Sequence, residues 1–204
     1  MSRLLIATHN PAKFDEFAEL LKVYSFDLVS LKDMAITDKA PEESQTFKDN
    51  ALAKAKFYYQ LSGLPTLADD SGLEIDVLDG WPGVNSRRIF EGSQKEASDQ
   101  ELISETLRRL QGVSWDKRTC HFAIATALVV SPDQIYTALG QGITGYIAEA
   151  ACDKIIPGYP FRSLFFVSKY NKMSAELTYE QLETAGFRHR SEIIKQLEPY
   201  LAKL

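Results

Sequence analysis

Cysteine and histidine are scarce in this chain, with two Cys and three His among 204 residues. Cys120 sits inside an apolar run and Cys152 stands apart, so neither a disulfide framework nor a four-thiolate zinc site can be built, and two reduced thiols are expected. His9, His121 and His189 are too far apart in sequence for metal-ligand spacing; His121, in an apolar stretch, reads as a hydrogen-bonded strand residue. No Gly-x-Ser-x-Gly elbow occurs, which removes the usual signal of a serine hydrolase. Long apolar runs are missing too: stretches such as Ala127 to Val130 fall far short of the roughly 20 residues that span a bilayer. The apolar run Leu4 to Ala7 is too short for a signal peptide's core, so a soluble, cytoplasmic protein without a membrane partner is expected. Positive charge is not in excess. With 23 Lys+Arg against 28 Asp+Glu the formal net charge is -5, which argues against binding nucleic acid through a basic surface.

What is present is enough apolar material, 45% of residues, for one core and a single domain over 1–204. Strand-like and helix-like segments alternate from the start, the pattern of an α/β fold. Leu4 to Ala7 reads as a buried strand, ended by Thr8-His9-Asn10. Asn10 is a good N-cap and Pro11 suits the first helical position, so a helix is predicted over about Pro11 to Lys22, with Phe14, Phe17, Ala18 and Leu21 on its apolar side. A strand from Phe26 to Leu31 precedes an acidic loop, and a helix is predicted from Thr46, with Asp49 as capping-box partner, to Gly63 as C-cap. Asp69 and Asp70 are predicted at a strand end or turn, ahead of a half-exposed strand through Leu73, Ile75 and Val77. A helix over Ser98 to Leu110 follows, then strands at Thr119–Val130, Gln134–Leu139, Gly145–Ala148 and Leu164–Val167, and a last helix from about Ser191.

Three patterns carry possible chemistry. Thr8-x-Asn10-x-x-Lys13 lies where a strand runs into a helix N-terminus, so backbone N–H groups and the helix dipole favour an anion and Lys13 adds a full charge. The junction lacks the glycines of a Walker loop or a dinucleotide fingerprint, and Asn10 alone is also explained as a plain cap. The acids Glu42, Glu43, Asp69 and Asp70 supply the hard oxygen ligands a divalent cation takes together with phosphate, although Asp-Asp-Ser-Gly is equally an ordinary turn. Asn50 and Lys54, four residues apart, share a helix face that presents an amide and an ammonium to the acids, to phosphate, or to solvent.

Read together, four segments resemble the inosine triphosphate pyrophosphatase family, enzymes that split non-standard purine nucleoside triphosphates such as ITP, dITP and XTP into monophosphate and pyrophosphate. They are Ile6 to Lys13, Glu43 to Ala55, Leu67 to Leu73, and Gly80 to Ser86. The resemblance implies an elongated twisted mixed β-sheet flanked by helices, in two lobes with a central cleft, and a homodimer. It implies Asp70, Lys54 and Asp69 as catalytic residues, with Asp70 binding metal and activating water, and Glu42 as the second metal ligand for Mg²⁺ or Mn²⁺. Substrate binding falls to Thr8, His9, Asn10, Lys13, Asn50 and Ser71 in the first half, and to Tyr159, Phe161, Arg162, His189 and Arg190 in the second.

The chain departs from the family in its second half. Gly158-Tyr159-Pro160-Phe161-Arg162 stands where the family has Gly-Phe-Gly-Tyr-Asp, Thr184 stands in place of a lysine, and Arg188-His189-Arg190 in place of Ser-His-Arg. The resemblance assigns base reading to these segments. Tyr159 can still stack on a base, and His189 with Arg190 can donate to a 6-oxo group. Arg162 and Arg188 exchange acceptors for fixed donors, however, so the same chemistry on another base is one alternative and a silent nucleotide-binding module is another.

Overall fold

The structure is a computed structural model that describes residues 2–89, 96–187 and 189–204, without the side chain of His189. Arg188 and the His189 side chain therefore lie outside the described residues. The fold is mixed α/β, a large twisted mixed sheet flanked by helices, as the sequence predicted. Its strands hydrogen-bond in the order β2 (Phe26–Ser30), β1 (Ser2–Ile6), β3 (Thr66–Ile75), β4 (Thr119–Ser131), β6 (Gly145–Ile147), β7 (Phe165–Val167) and β8 (Lys172–Met173), with β5 (Gln134–Gln141) also on β4. The chain divides into two compact units, Met1–Ser71 with Ile124–Gly140 and His189–Leu204, and Gly72–Ala123 with Gln141–Arg188. No helix among the described residues is long and apolar enough to cross a membrane.

The first unit begins with β1 (Ser2–Ile6), α1 (Pro11–Leu21), β2 (Phe26–Ser30), α2 (Phe47–Ser62) and the start of β3 (Thr66–Ile75). β1 pairs in parallel with β2 and with β3, Leu5 opposite both Val29 and Thr66. Strand alternation sorts side chains onto two faces. Leu4, Ile6 and Leu67 pack with Phe17 and Leu21 of α1 and with Ile193 and Leu197 of the last helix, α5 (His189–Leu201). Leu5, Ala7 and Ala68 pack against Ala51, Ala55 and Tyr58 of α2. Each fully buried Leu or Ile contributes about 1.5–3 kcal/mol, so two apolar faces hold three helices without help from disulfides.

The helix ends follow the predicted chemistry with one change. Asn10 Oδ1 accepts from Ala12 N at 3.0 Å, and Gly63 ends α2 at φ 65°. Thr46 Oγ1 accepts from Asp49 N at 3.1 Å, but the Asp49 carboxylate takes the Thr46 hydroxyl at 2.7 Å instead of completing the capping box. Aspartate is one methylene short for the return reach. In α3 (Asp99–Arg109) Glu101 does reach back, accepting from Ser98 N at 2.7 Å.

The second unit takes the end of β3 and the start of β4 (Thr119–Ser131), then β6 (Gly145–Ile147), β7 (Phe165–Val167) and β8 (Lys172–Met173), these last three antiparallel in sequence; β5 (Gln134–Gln141) belongs to the first unit apart from its final residue. Leu73, Ile75, Leu102, Cys120, Ile147 and Phe165 form its core, and burial raises the Cys120 thiol pKa. Phe165 stacks on Phe122 at 5.4 Å and meets Phe187 edge-on at 5.1 Å. A Cβ on Gly145 would sit 2.2 Å from the Phe165 ring, so only glycine lets β6 approach that closely. His121 is the hydrogen-bonded strand residue expected, with Nε2 2.9 Å from Glu74 Oε2. β8 and α4 (Tyr179–Thr184) are too short to have left a periodic signal.

Candidate active site

Asp69 and Asp70 were expected at a strand end or turn; they lie within β3, both buried. Two acids are tolerated inside a strand because each is supplied with partners. β1 ends at Ile6, opposite Leu67, so the acids extend past the carboxyl end of their parallel neighbour, where ligand sites of open α/β sheets form. The chain leaving β1 passes Thr8 and Asn10 into α1, and Thr8 Oγ1 accepts from Asn10 N at 3.1 Å.

Asp69 is enclosed by cations. Lys13 Nζ of α1 and Arg190 Nη2 of α5 each approach its Oδ2 at 3.0 Å, and Ser71 Oγ donates to the same oxygen at 3.3 Å while accepting from Arg190 Nη2 at 3.1 Å. Lys54 Nζ donates to the Asp69 carbonyl at 3.1 Å. Burial alone would raise the Asp69 pKa, but Lys13, Arg190 and Lys54 together hold it well below the usual carboxylate range. Lys13 is itself lowered, mainly by burial and against the pull of Asp69. Asp69 Oδ1 is buried without a hydrogen-bond partner.

Asp70 lies in a different setting. Its Oδ2 accepts from Asn50 Nδ2 at 3.0 Å and its Oδ1 from Ser71 N at 3.1 Å. Burial raises its pKa, the cations Lys54 and Lys13 oppose this, and the charge of Glu42 adds to the rise. Lys54 forms an ion pair with Glu42, and its pKa is raised overall because Glu42, Asp70 and Asp69 outweigh its burial. The acids Glu42, Asp69 and Asp70, and the cations Lys13, Lys54 and Arg190, thus form one network inside the first unit.

Asn50 and Arg190 belong to this network, and the remaining predicted residues that are described have partners of their own. Asn50 turns its amide to the acids and not to solvent. His9 directs Nε2 to Tyr58 Oη at 3.0 Å and to the Asp38 carbonyl at 3.2 Å. Arg190, read as a donor to a base, is instead 3% exposed and engaged by Asp69, Ser71 and Glu16, the last at 3.1 Å. In the second unit Phe161 is buried in the core, while the Arg162 guanidinium lies over the rings of Phe187 at 5.5 Å and Tyr159 at 5.8 Å and donates to the Ser174 carbonyl at 3.3 Å. Asp99 at the start of α3 anchors this segment by accepting from Gly158 N at 2.9 Å. Thr184 donates its hydroxyl to the Glu180 carbonyl at 2.8 Å, and its own carbonyl accepts from Lys169 Nζ at 2.9 Å.

Two participants were missed, Glu16 and Tyr58. Glu16 follows Lys13 by three on α1, and Tyr58 follows Lys54 by four on α2, so helical spacing alone was available to find them. Among the described residues no three His, Cys, Asp or Glu side chains come together in a way that could hold a metal by themselves. The donors present suit a hard cation all the same. Mg²⁺ takes one or two carboxylates plus phosphate oxygens, and Glu42 and Asp70 are like charges whose mutual repulsion a divalent cation would relieve.

A parallel-stranded α/β unit with buried acids, cations and a helix N-terminus beyond its strand ends is the kind of place where open α/β sheets form ligand sites. The chain belongs to the Ham1 family, whose model matches residues 4–200. It is 36% identical over 201 residues to a dITP/XTP pyrophosphatase of Bacillus subtilis, covering 98% of both chains. It is 38% identical over 192 residues to a dITP/XTP pyrophosphatase of Geobacter sulfurreducens, covering 94% of this chain and 93% of that one. Among solved structures, a Ham1 protein from Coxiella burnetii superposes with a TM-score of 0.81 at 30% identity over the whole of both chains.

Proposed function

We propose that the protein is a metal-dependent nucleoside triphosphate pyrophosphatase that hydrolyses the α–β anhydride of non-standard purine nucleotides such as ITP, dITP and XTP. Identity of 36% and 38% over nearly the full chain to proteins named dITP/XTP pyrophosphatase supports an anhydride hydrolase. The observation that carries the chemistry is the contrast between adjacent acids: Asp69 is matched by Lys13 and Arg190, whereas Asp70, its pKa raised by burial, accepts from the neutral donors Asn50 Nδ2 and Ser71 N.

In this reading Thr8, Asn10 and Lys13 receive the triphosphate at the N-terminus of α1, with Lys54 alongside. Glu42 and Asp70 would hold Mg²⁺ or Mn²⁺, which supplies Lewis-acid polarisation of phosphate oxygens and charge neutralisation when bound. Asp70 takes a proton from the attacking water, the water oxygen bonds to phosphorus, and the bridging P–O bond breaks with pyrophosphate and monophosphate as products. Asn50 Nδ2 and Ser71 N donate to the two Asp70 oxygens and fix the orientation of its carboxylate. Asp69 fixes Lys13 and Arg190, while base recognition is assigned to Tyr159 and Arg162. The enzyme is then a homodimer, as the family resemblance implies, and cytoplasmic, as expected from the short apolar run Leu4 to Ala7.

The test is a panel of triphosphates with Mg²⁺, assayed for pyrophosphate and orthophosphate separately. Pyrophosphate from ITP or XTP with little from ATP is expected; orthophosphate alone, or no turnover, would overturn the reading. Pyrophosphate from ATP or GTP in preference to ITP would favour the alternative that Arg162 motivates.

A further inference from the structure

One face of α2 grips a single stretch of chain three times. Asn50, Lys54 and Tyr58 are four residues apart and form one stripe along the helix. Asn50, wholly buried, accepts from Ser44 N at 2.9 Å and donates to the Ser44 carbonyl at 3.2 Å. Lys54 pairs with Glu42. The Tyr58 hydroxyl, on a ring 1% exposed, donates to the Asp38 carbonyl at 3.0 Å and accepts from Ala40 N at 3.3 Å, with His9 on its outer side.

The partners run 44, 42, 40–38 against 50, 54, 58, so the segment lies antiparallel to the helix. Four helical residues advance about 6 Å, and two residues of extended chain about 6.6 Å, so the two repeats stay in step over three anchors. Residues 36–44 belong to no helix or strand, and their backbone groups must find partners elsewhere. Glu42 hangs between anchored neighbours, and the Asn50 amide that holds Ser44 also donates to Asp70 Oδ2. Both carboxylates are therefore indexed to the same helix.

The geometry points to Asn50 and Tyr58 as positioning residues that set Glu42 against Asp70 for the divalent cation, a role that rests on the metal-dependent reading above. Tyr58 is the cleaner probe because its hydroxyl touches neither acid, and Tyr58→Phe retains the buried ring. Three measurements on parent and Tyr58→Phe proteins test it: amide hydrogen exchange over residues 38–44 without metal, Mn²⁺ binding to the nucleotide-free protein by calorimetry, and kcat and KM against Mn²⁺ concentration. Removing a group that orients a ligand typically weakens metal binding by about 10–100-fold. Exchange over 38–44 should quicken, Mn²⁺ should bind at least about 10-fold more weakly, and kcat should recover at high Mn²⁺ with the nucleotide KM unchanged. Unchanged exchange would overturn the clamp, and faster exchange with unaltered Mn²⁺ affinity would overturn its link to Glu42. Absence of pyrophosphate release from the parent protein is a failure of the enzyme reading, and is seen without the variant.

Discussion

Asp69 and Asp70 are neighbours in the chain whose carboxylates are held by different helices: Asp69 by Lys13 of α1 and Arg190 of α5, Asp70 by Asn50 of α2. The cause is strand alternation. Leu67 belongs to the face packed on α1 and α5 and Ala68 to the face packed on α2, and the same alternation carries Asp69 and Asp70 onto opposite sides. Asp69 is thereby engaged by two cations, and Asp70 by the neutral donors Asn50 Nδ2 and Ser71 N.

Asp70→Asn separates these roles. The amide keeps the shape and can accept from Asn50 or from Ser71 N with its one carbonyl oxygen, but it lacks the charge proposed to bind metal and the basicity proposed to activate water. kcat should fall by about 100-fold or more, with nucleotide affinity changing much less, in steady-state pyrophosphate assays. A near-normal kcat would remove Asp70 from the chemistry.

The Asp69–Arg190 pair should matter chiefly to stability. Both side chains are almost fully buried, at 1% and 4% exposure, and removing one member of a buried pair typically costs about 3–5 kcal/mol. Arg190→Met should lower the urea midpoint accordingly, although Lys13 still opposes Asp69 and places the loss near the lower end. The pH dependence has a definite sign. The Asp69 carboxyl is held below its usual range in the folded protein, so the unfolded chain binds its proton more readily. Its contribution is complete above the ordinary carboxylate pKa of about 4 and is lost as pH falls below that value. Asp69→Asn should therefore flatten the acid limb of a stability profile; an unchanged limb would show that other groups govern acid unfolding.

Arg162→Asp tests recognition. The guanidinium is held over Phe187 and Tyr159 by cation–π contact, and replacing it with an acceptor reverses both charge and hydrogen-bonding sense. The order of kcat/KM among ITP, XTP, dUTP, GTP and ATP should change, while turnover of the best substrate stays within about 10-fold, equivalent to about 1.4 kcal/mol. An unchanged order would make Arg162 a structural member of the second unit.

Local signals in the sequence were sufficient for most elements. Asn10, Pro11, Thr46 and Gly63 mark the ends of α1 and α2 where the structure has them, because caps act through backbone groups only a few residues away. The acid and lysine motifs were equally legible, as was the family they resemble. The chain alone also specified residue types and their spacing on each helix, which placed Asn50 and Lys54 on one face.

Tertiary structure decided which of those groups meet. Arg190 and Asp69 are separated by 121 positions, and nothing local foretells that α5 brings a guanidinium to β3 instead of leaving it for a ligand. Glu16 and Tyr58 acquire their roles in the same way, from the packing of α1 against α5 and of α2 against the 38–44 segment. Asp69 and Asp70 looked like a turn because Asp, Ser and Gly favour turns when solvated. Buried partners reversed that preference, since an ion pair and an amide hydrogen bond are available only after the helices have packed on the sheet.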